Sequence, residues 1–249
     1  MFSIFNTPNK KYVLKTETFV CNRFGLAEFF AKNYESFETR QGLNVIDVGC
    51  GVFPIGIYLA EQKNNYVTGV ELNPAAYECA ANNICALNLD KSVKLINADF
   101  ATLYKQDNVD RFDLIVSNPP VDNKITRERI LKYASNSFEF LDDESYSYLT
   151  NSWHSPDGKD LIDHIFEAAN EILKEDGKII IVFCDIDCTT PDYVYKKAEL
   201  NNFIITKKIS SQISSADIGL RSNISKKINV YMIEFGRQKY DDICKECLC

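Results

Sequence analysis

The chain has 249 residues, 45% of them hydrophobic and 25% charged, an ordinary soluble composition at the length of one large domain with a sizeable core. No stretch approaches the ~20 uncharged apolar residues of a membrane span, and the opening MFSIFNTPNKKYVLK lacks the apolar run of a secretory signal, so the sequence predicts a cytoplasmic protein. The formal net charge of −7 makes the average surface repel phosphate backbones, which disfavours nucleic acid and favours a protein or small-molecule partner.

The first 42 residues form an N-terminal extension. Arg23 to Tyr34 read as an amphipathic helix that covers a sheet or caps a pocket, and the segment before it carries no signal. From residue 43 short β-rich apolar runs alternate with helical patterns, the signature of βαβ units around a parallel sheet.

The first predicted strand, 43 to 48, runs into VIDVGCGVFPIG, where Asp47, Gly49, Cys50 and Gly51 mark a strand-to-helix turn. Glycines there permit positive φ and let the backbone approach a ligand. A dinucleotide enzyme would use the helix N-terminus for pyrophosphate, but this loop begins with a carboxylate, and the residue three beyond Gly51 is Pro54 rather than glycine. Asp47 suits the ammonium group of a methionine moiety better than a phosphate, which favours S-adenosyl-L-methionine over a nicotinamide dinucleotide.

The second strand, 66 to 71, ends in Glu71, followed by Leu72, where a carboxylate can accept both ribose hydroxyls of an adenosine. The third, 93 to 98, ends in Asp99 and Phe100, a pair able to hydrogen-bond an adenine amino group and pack on its ring. PIGIYLAEQ and PAAYECAANNICALNL between these strands are striped as crossover helices.

The fourth strand, 112 to 117, leads directly into Asn118, Pro119, Pro120 and Val121. Two prolines lock this turn at the sheet's carboxyl edge and hold its carbonyls in place. An amide or nucleobase amino nitrogen is a poor nucleophile because its lone pair is delocalised. Two acceptors, the Asn118 side-chain oxygen and the Pro119 carbonyl, would hold its N–H groups and redirect that lone pair toward a methyl sulfonium. No metal or covalent intermediate is required.

Residues 119 to 157 are too long for an idle connection and read as a substrate lid, with a helix over ITRERILKYASNSFEFL and an acidic, tyrosine-rich stretch after it. His154 within it is read as a surface residue. Beyond it come a helix in DLIDHIFEAANEILKE, a strand at 178 to 183, a helix near 191 to 201, and strands at 202 to 209 and 228 to 235 that read as a closing hairpin. The expected fold is α/β: a Rossmann-like, doubly wound, seven-stranded, mostly parallel sheet with an antiparallel C-terminal edge hairpin, over residues 43 to 236.

Cys21, Cys50, Cys79, Cys85, Cys184 and Cys188 are scattered through predicted elements and read as reduced thiols. Cys244, Cys247 and Cys249, in the tail at 237 to 249, offer three soft ligands but no evident fourth, so no metal is predicted.

With its glycine loop, strand-end acids and NPP turn, the chain resembles the seven-stranded amino-methyltransferases with an Asn-Pro-Pro-aromatic motif, which act on glutamine amides or on adenine or guanine amino groups. The likeness covers residues 43 to about 236, and SPDGKDLIDHIFEAANEILKEDGKIIIV is similar to the corresponding stretch of the release-factor glutamine methyltransferases. The resemblance implies methyl transfer from S-adenosyl-L-methionine, leaving S-adenosyl-L-homocysteine, to a protein glutamine side chain. A tRNA or rRNA amino group and a small-molecule nitrogen remain alternatives, and whether a partner subunit is needed stays open. The sequence departs from the motif at its fourth position, Val121, where an aromatic residue flanks the planar substrate group.

Overall fold

The structure, a computed structural model, describes residues 2–16, 24–106, 109–119, 159–185, 190–214 and 227–238. Its main sheet is made of β3 (Asn44–Val48), β4 (Tyr66–Glu71), β5 (Val93–Asn97), β6 (Phe112–Ser117), β7 (Leu173–Cys184), β8 (Phe203–Ser214) and β9 (Lys227–Arg237), with β1 (Phe2–Asn6) and β2 (Lys11–Lys15) forming a separate antiparallel pair. The seven strands lie in the order β5-β4-β3-β6-β7-β9-β8. All neighbours are parallel except β9, which runs antiparallel to both β7 and β8.

This is the expected sheet, and all seven predicted strands are present. The central ones are apolar runs because helices cover both faces, so β3 and β6 bury nearly every residue. On one face α1 (Gly25–Phe37), α2 (Pro54–Lys63) and α3 (Pro74–Ala86) close over one core cluster; on the other, α4 (Phe100–Leu103), α5 (Leu161–Ile172) and α6 (Pro191–Leu200) close over a second.

The N-terminal segment differs from the sequence reading, which left residues 1–22 without structure. Alternation places Phe5, Tyr12 and Leu14 on one side of the β1–β2 hairpin, all of them buried in the first core cluster, while Phe2, Ile4 and Val13 face outward. A tight turn closes it through Thr7 N–H and Lys10 C=O at 2.9 Å, and Lys10 and Tyr12 Oη both reach Glu61 of α2. Helix α2 is therefore buried on nearly every side, sheet below and hairpin above, with the α1 rings of Phe30 and Tyr34 edge-on to Tyr58.

The strand order reverses between β3 and β6, and the region outside the carboxyl ends at such a reversal is where open α/β sheets take ligands. No helix among the described residues is long and apolar enough to cross a membrane.

Candidate active site at the carboxyl edge

At that reversal Ser117, the last residue of β6, donates its Oγ to the carbonyl of Val48, the last residue of β3, at 2.7 Å. This buried bond ties the two strand ends together and seats Asn118 beside the loop that leaves β3. Asn118 is partly buried and Pro119 fully so. Pro120 and Val121 lie outside the described residues, as do His154 and the rest of the expected lid.

The loop has the backbone its glycines foretold, with φ of +67° at Gly49 and +57° at Gly51. A side chain added at Gly51 would meet nothing within 4 Å, whereas one at Gly49 would press on Leu161 of α5 at 3.1 Å. Gly49 and Cys50 N–H groups both reach Val70 C=O, at 2.9 and 3.1 Å. Phe53 then takes φ of +73°, unusual for a bulky residue, and its fully buried ring lies over Gly56 and Gly69.

Asp47 is 2% exposed and its Oδ2 accepts the Gly56 N–H at 3.1 Å from the first turn of α2. Burial raises its carboxyl to about 7, the Gly56 N–H opposing and the charge of Glu71 adding to the rise. Glu71 is 8% exposed and also raised by burial, against donation from three backbone amides. Its Oε2 accepts Gly51 N–H and its Oε1 accepts Asn73 N–H, both at 2.8 Å. The carboxylate thus shapes the loop, and with three of its four lone pairs taken it keeps one for a ligand hydroxyl. Between them, burial and the two carboxylates push the Cys50 thiol well up, so it stays protonated.

Asp99 caps α4, its Oδ1 accepting Ala101 N–H at 2.9 Å. The Phe100 ring is 4% exposed and packs against Tyr104 with centroids 5.5 Å apart. Leu72 is held at the end of β4 by Asn97, whose Nδ2 donates to the carbonyls of both Glu71 and Leu72 at 2.8 and 3.1 Å.

Across the carboxyl edge the strand order therefore sets a row: Asp99 after β5, Glu71 and Leu72 after β4, Asp47 and the glycine loop at β3, Asn118 after β6. Strand spacing makes it roughly 15 Å long. The groups that shift Asp47 and Glu71 include no basic side chain. Such an edge suits a cation with hydroxyls better than a phosphate.

Sequence reasoning missed Ser117, Asn97 and Leu161. Each is an ordinary residue that matters only through a partner distant in the chain. Asn73 was missed as well, although Asn followed by Pro at a strand end is an N-cap signal, and its Oδ1 accepts Ala75 N–H at 2.9 Å.

Residues 28–143 match the family model described as the methyltransferase small domain. Among curated proteins the chain is 31% identical over 163 residues to a release factor glutamine methyltransferase of Fusobacterium nucleatum, covering 65% of this chain and 42% of that one. It is 28% identical over 158 residues to a tRNA1(Val) (adenine(37)-N6)-methyltransferase of Pasteurella multocida, covering 60% and 64%. The chain thus spans less than two thirds of these relatives. A candidate RNA methyltransferase of Pyrococcus horikoshii shares the fold, with a TM-score of 0.53, 16% identity, and coverage of 86% of this chain and 82% of that one. The matched stretch begins within α1. Among the described residues no group of three or more His, Cys, Asp or Glu is placed to hold a metal; Cys244, Cys247 and Cys249 lie outside them.

Proposed function

We propose that this chain is a cytoplasmic S-adenosyl-L-methionine-dependent N-methyltransferase whose acceptor is a planar amide or amino nitrogen, with a protein glutamine side chain the first choice. The observation that carries the reading is the Ser117–Val48 bond, which brings Asn118 to the glycine loop at the sheet's reversal point. The donor, when bound, supplies an electrophilic methyl group on a sulfonium. Asp99 and Leu72 would flank its adenine end, Glu71 its ribose, and Asp47 with Gly49, Cys50 and Gly51 its amino-acid end. Asp47 carries the charge preference: a buried carboxyl without a basic neighbour is stabilised in its ionised form by a ligand cation.

The acceptor nitrogen would give its N–H groups to the Asn118 side-chain oxygen and the Pro119 carbonyl. The rigid turn fixes those oxygens before the substrate arrives, so the nitrogen lone pair is aimed in line with the transferable methyl. The nitrogen sheds its proton after transfer. Pro120 and Val121 would complete the wall of this corner.

The net charge of −7 favours a protein acceptor over RNA, and the release-factor relative is named for such a substrate. The tRNA relative is the reason to test the alternative. In parallel assays of methyl incorporation, a glutamine-containing peptide is expected to be labelled and total tRNA is not; the reverse result transfers the acceptor to a nucleobase. Asn118→Ala is expected to lower turnover by about 10²-fold or more while leaving the donor dissociation constant within about twofold. A parallel loss of donor binding would contradict its role.

A further inference from the structure

Asn83 lies in α3 and is 3% exposed. Its side chain reaches two segments far away in the chain. Oδ1 accepts the N–H of Lys15 at 2.7 Å, and Nδ2 donates to the C=O of Lys15 at 3.3 Å. Together these copy the exchange a neighbouring strand would make, so the amide of Asn83 serves as a surrogate partner at the end of β2. Nδ2 also donates to the carbonyl of Val52 at 3.1 Å, in the turn between Gly51 and Phe53. Asn82, next to it, uses its Nδ2 only within its own helix, on Glu78 C=O at 2.7 Å. The long-range grip is thus particular to Asn83, not a habit of helical asparagines.

We infer that Asn83 is a positioning residue that fastens the N-terminal hairpin to the glycine loop, so that the hairpin helps set the loop conformation on which donor affinity depends. The inference rests on the donor-site reading above. The loop's other backbone ties, Gly49 and Cys50 to Val70, Gly51 to Glu71, Phe53 to Cys50 and Ile57 to Phe53, come from β4, α2 and the loop itself. Asn83 adds a tie from the opposite side and links it to residues that precede the sheet altogether. Coupling of this kind is reciprocal: a ligand that orders the loop also tightens the end of β2.

Two measurements on the full chain test it. In the first, S-adenosyl-L-homocysteine is titrated into wild type, Asn83→Asp and Asn82→Ala at a temperature where circular dichroism shows each folded. Asn83→Asp keeps the acceptor for Lys15 N–H but turns an oxygen toward two carbonyls, and is expected to raise the dissociation constant about tenfold. Asn82→Ala should leave it unchanged. The second needs no variant: hydrogen exchange of the Lys15 amide in wild type should slow at least about tenfold at saturating ligand, and it decides alone if Asn83→Asp does not fold. A folded Asn83→Asp with wild-type affinity, or Lys15 exchange indifferent to bound ligand, overturns the inference. Wild type that takes up no S-adenosyl-L-homocysteine overturns the donor-site reading itself, and this inference with it.

Discussion

Asp47 concentrates the chemistry of the loop in one carboxyl. Its rise from 3.8 to about 7 comes first from burial and only then from Glu71. An acid whose folded pKa exceeds its unfolded one weakens folding as pH rises: the cost begins near the unfolded value, about 4, and is complete above about 7. A ligand ammonium reverses the preference, because it favours the ionised carboxylate and expels the proton. Donor affinity is therefore expected to climb by up to about tenfold per pH unit below 7 and level off above it. Titrations at pH 6 and pH 8 check this, and Asp47→Asn should both weaken binding and flatten the profile. An affinity independent of pH would mean that no cation sits at Asp47. This carboxyl was legible in the sequence as a charge in the wrong place for phosphate. Its burial was not, since that depends on α2 closing over it. For the Phe100 ring the strand-end position suggested packing on a base, and what the sequence did not show is its contact with Tyr104.

At the scale of elements, the strands were read well where burial on both faces made them continuous apolar runs, as in β3, β4 and β6. Two features escaped. The β1–β2 hairpin has only two five-residue strands, whose pattern becomes meaningful once α2 and α3 offer a surface. Strand β7 begins at Leu173, five residues ahead of the predicted start, because Leu173 pairs with Phe112 before the chain detours through Lys174–Gly177 and resumes at Lys178 opposite Leu114. The join of α2 to β4 yields a prediction of its own. A Cβ on Gly56 would stand 2.0 Å from the Phe53 ring, and one on Gly69 2.6 Å from it, so these glycines exist to admit that ring. Gly56→Ala is expected to destabilise the fold by about 1–3 kcal/mol. That lowers the thermal midpoint by roughly 2–4 °C for each kcal/mol. An unchanged midpoint in thermal denaturation would show that Phe53 can move aside at no cost.

For the whole molecule, the alternation of strands and helices announced a doubly wound sheet, and the antiparallel C-terminal pair was evident from two long β runs without a full crossover helix between them. The strand order was not written in any residue. It emerges from pairing, and the proposed function depends on it, because the reversal between β3 and β6 brings the glycine loop and Asn118, about seventy residues apart, to one corner. The central claim is that this corner and the acids beside it receive a cationic methyl donor. Isothermal titration of S-adenosyl-L-methionine into the purified chain tests it most directly. The account predicts one site per chain, with a heat that varies with buffer ionisation enthalpy below pH 7 as Asp47 releases its proton; absence of binding, or uptake of a nicotinamide dinucleotide instead, would contradict it.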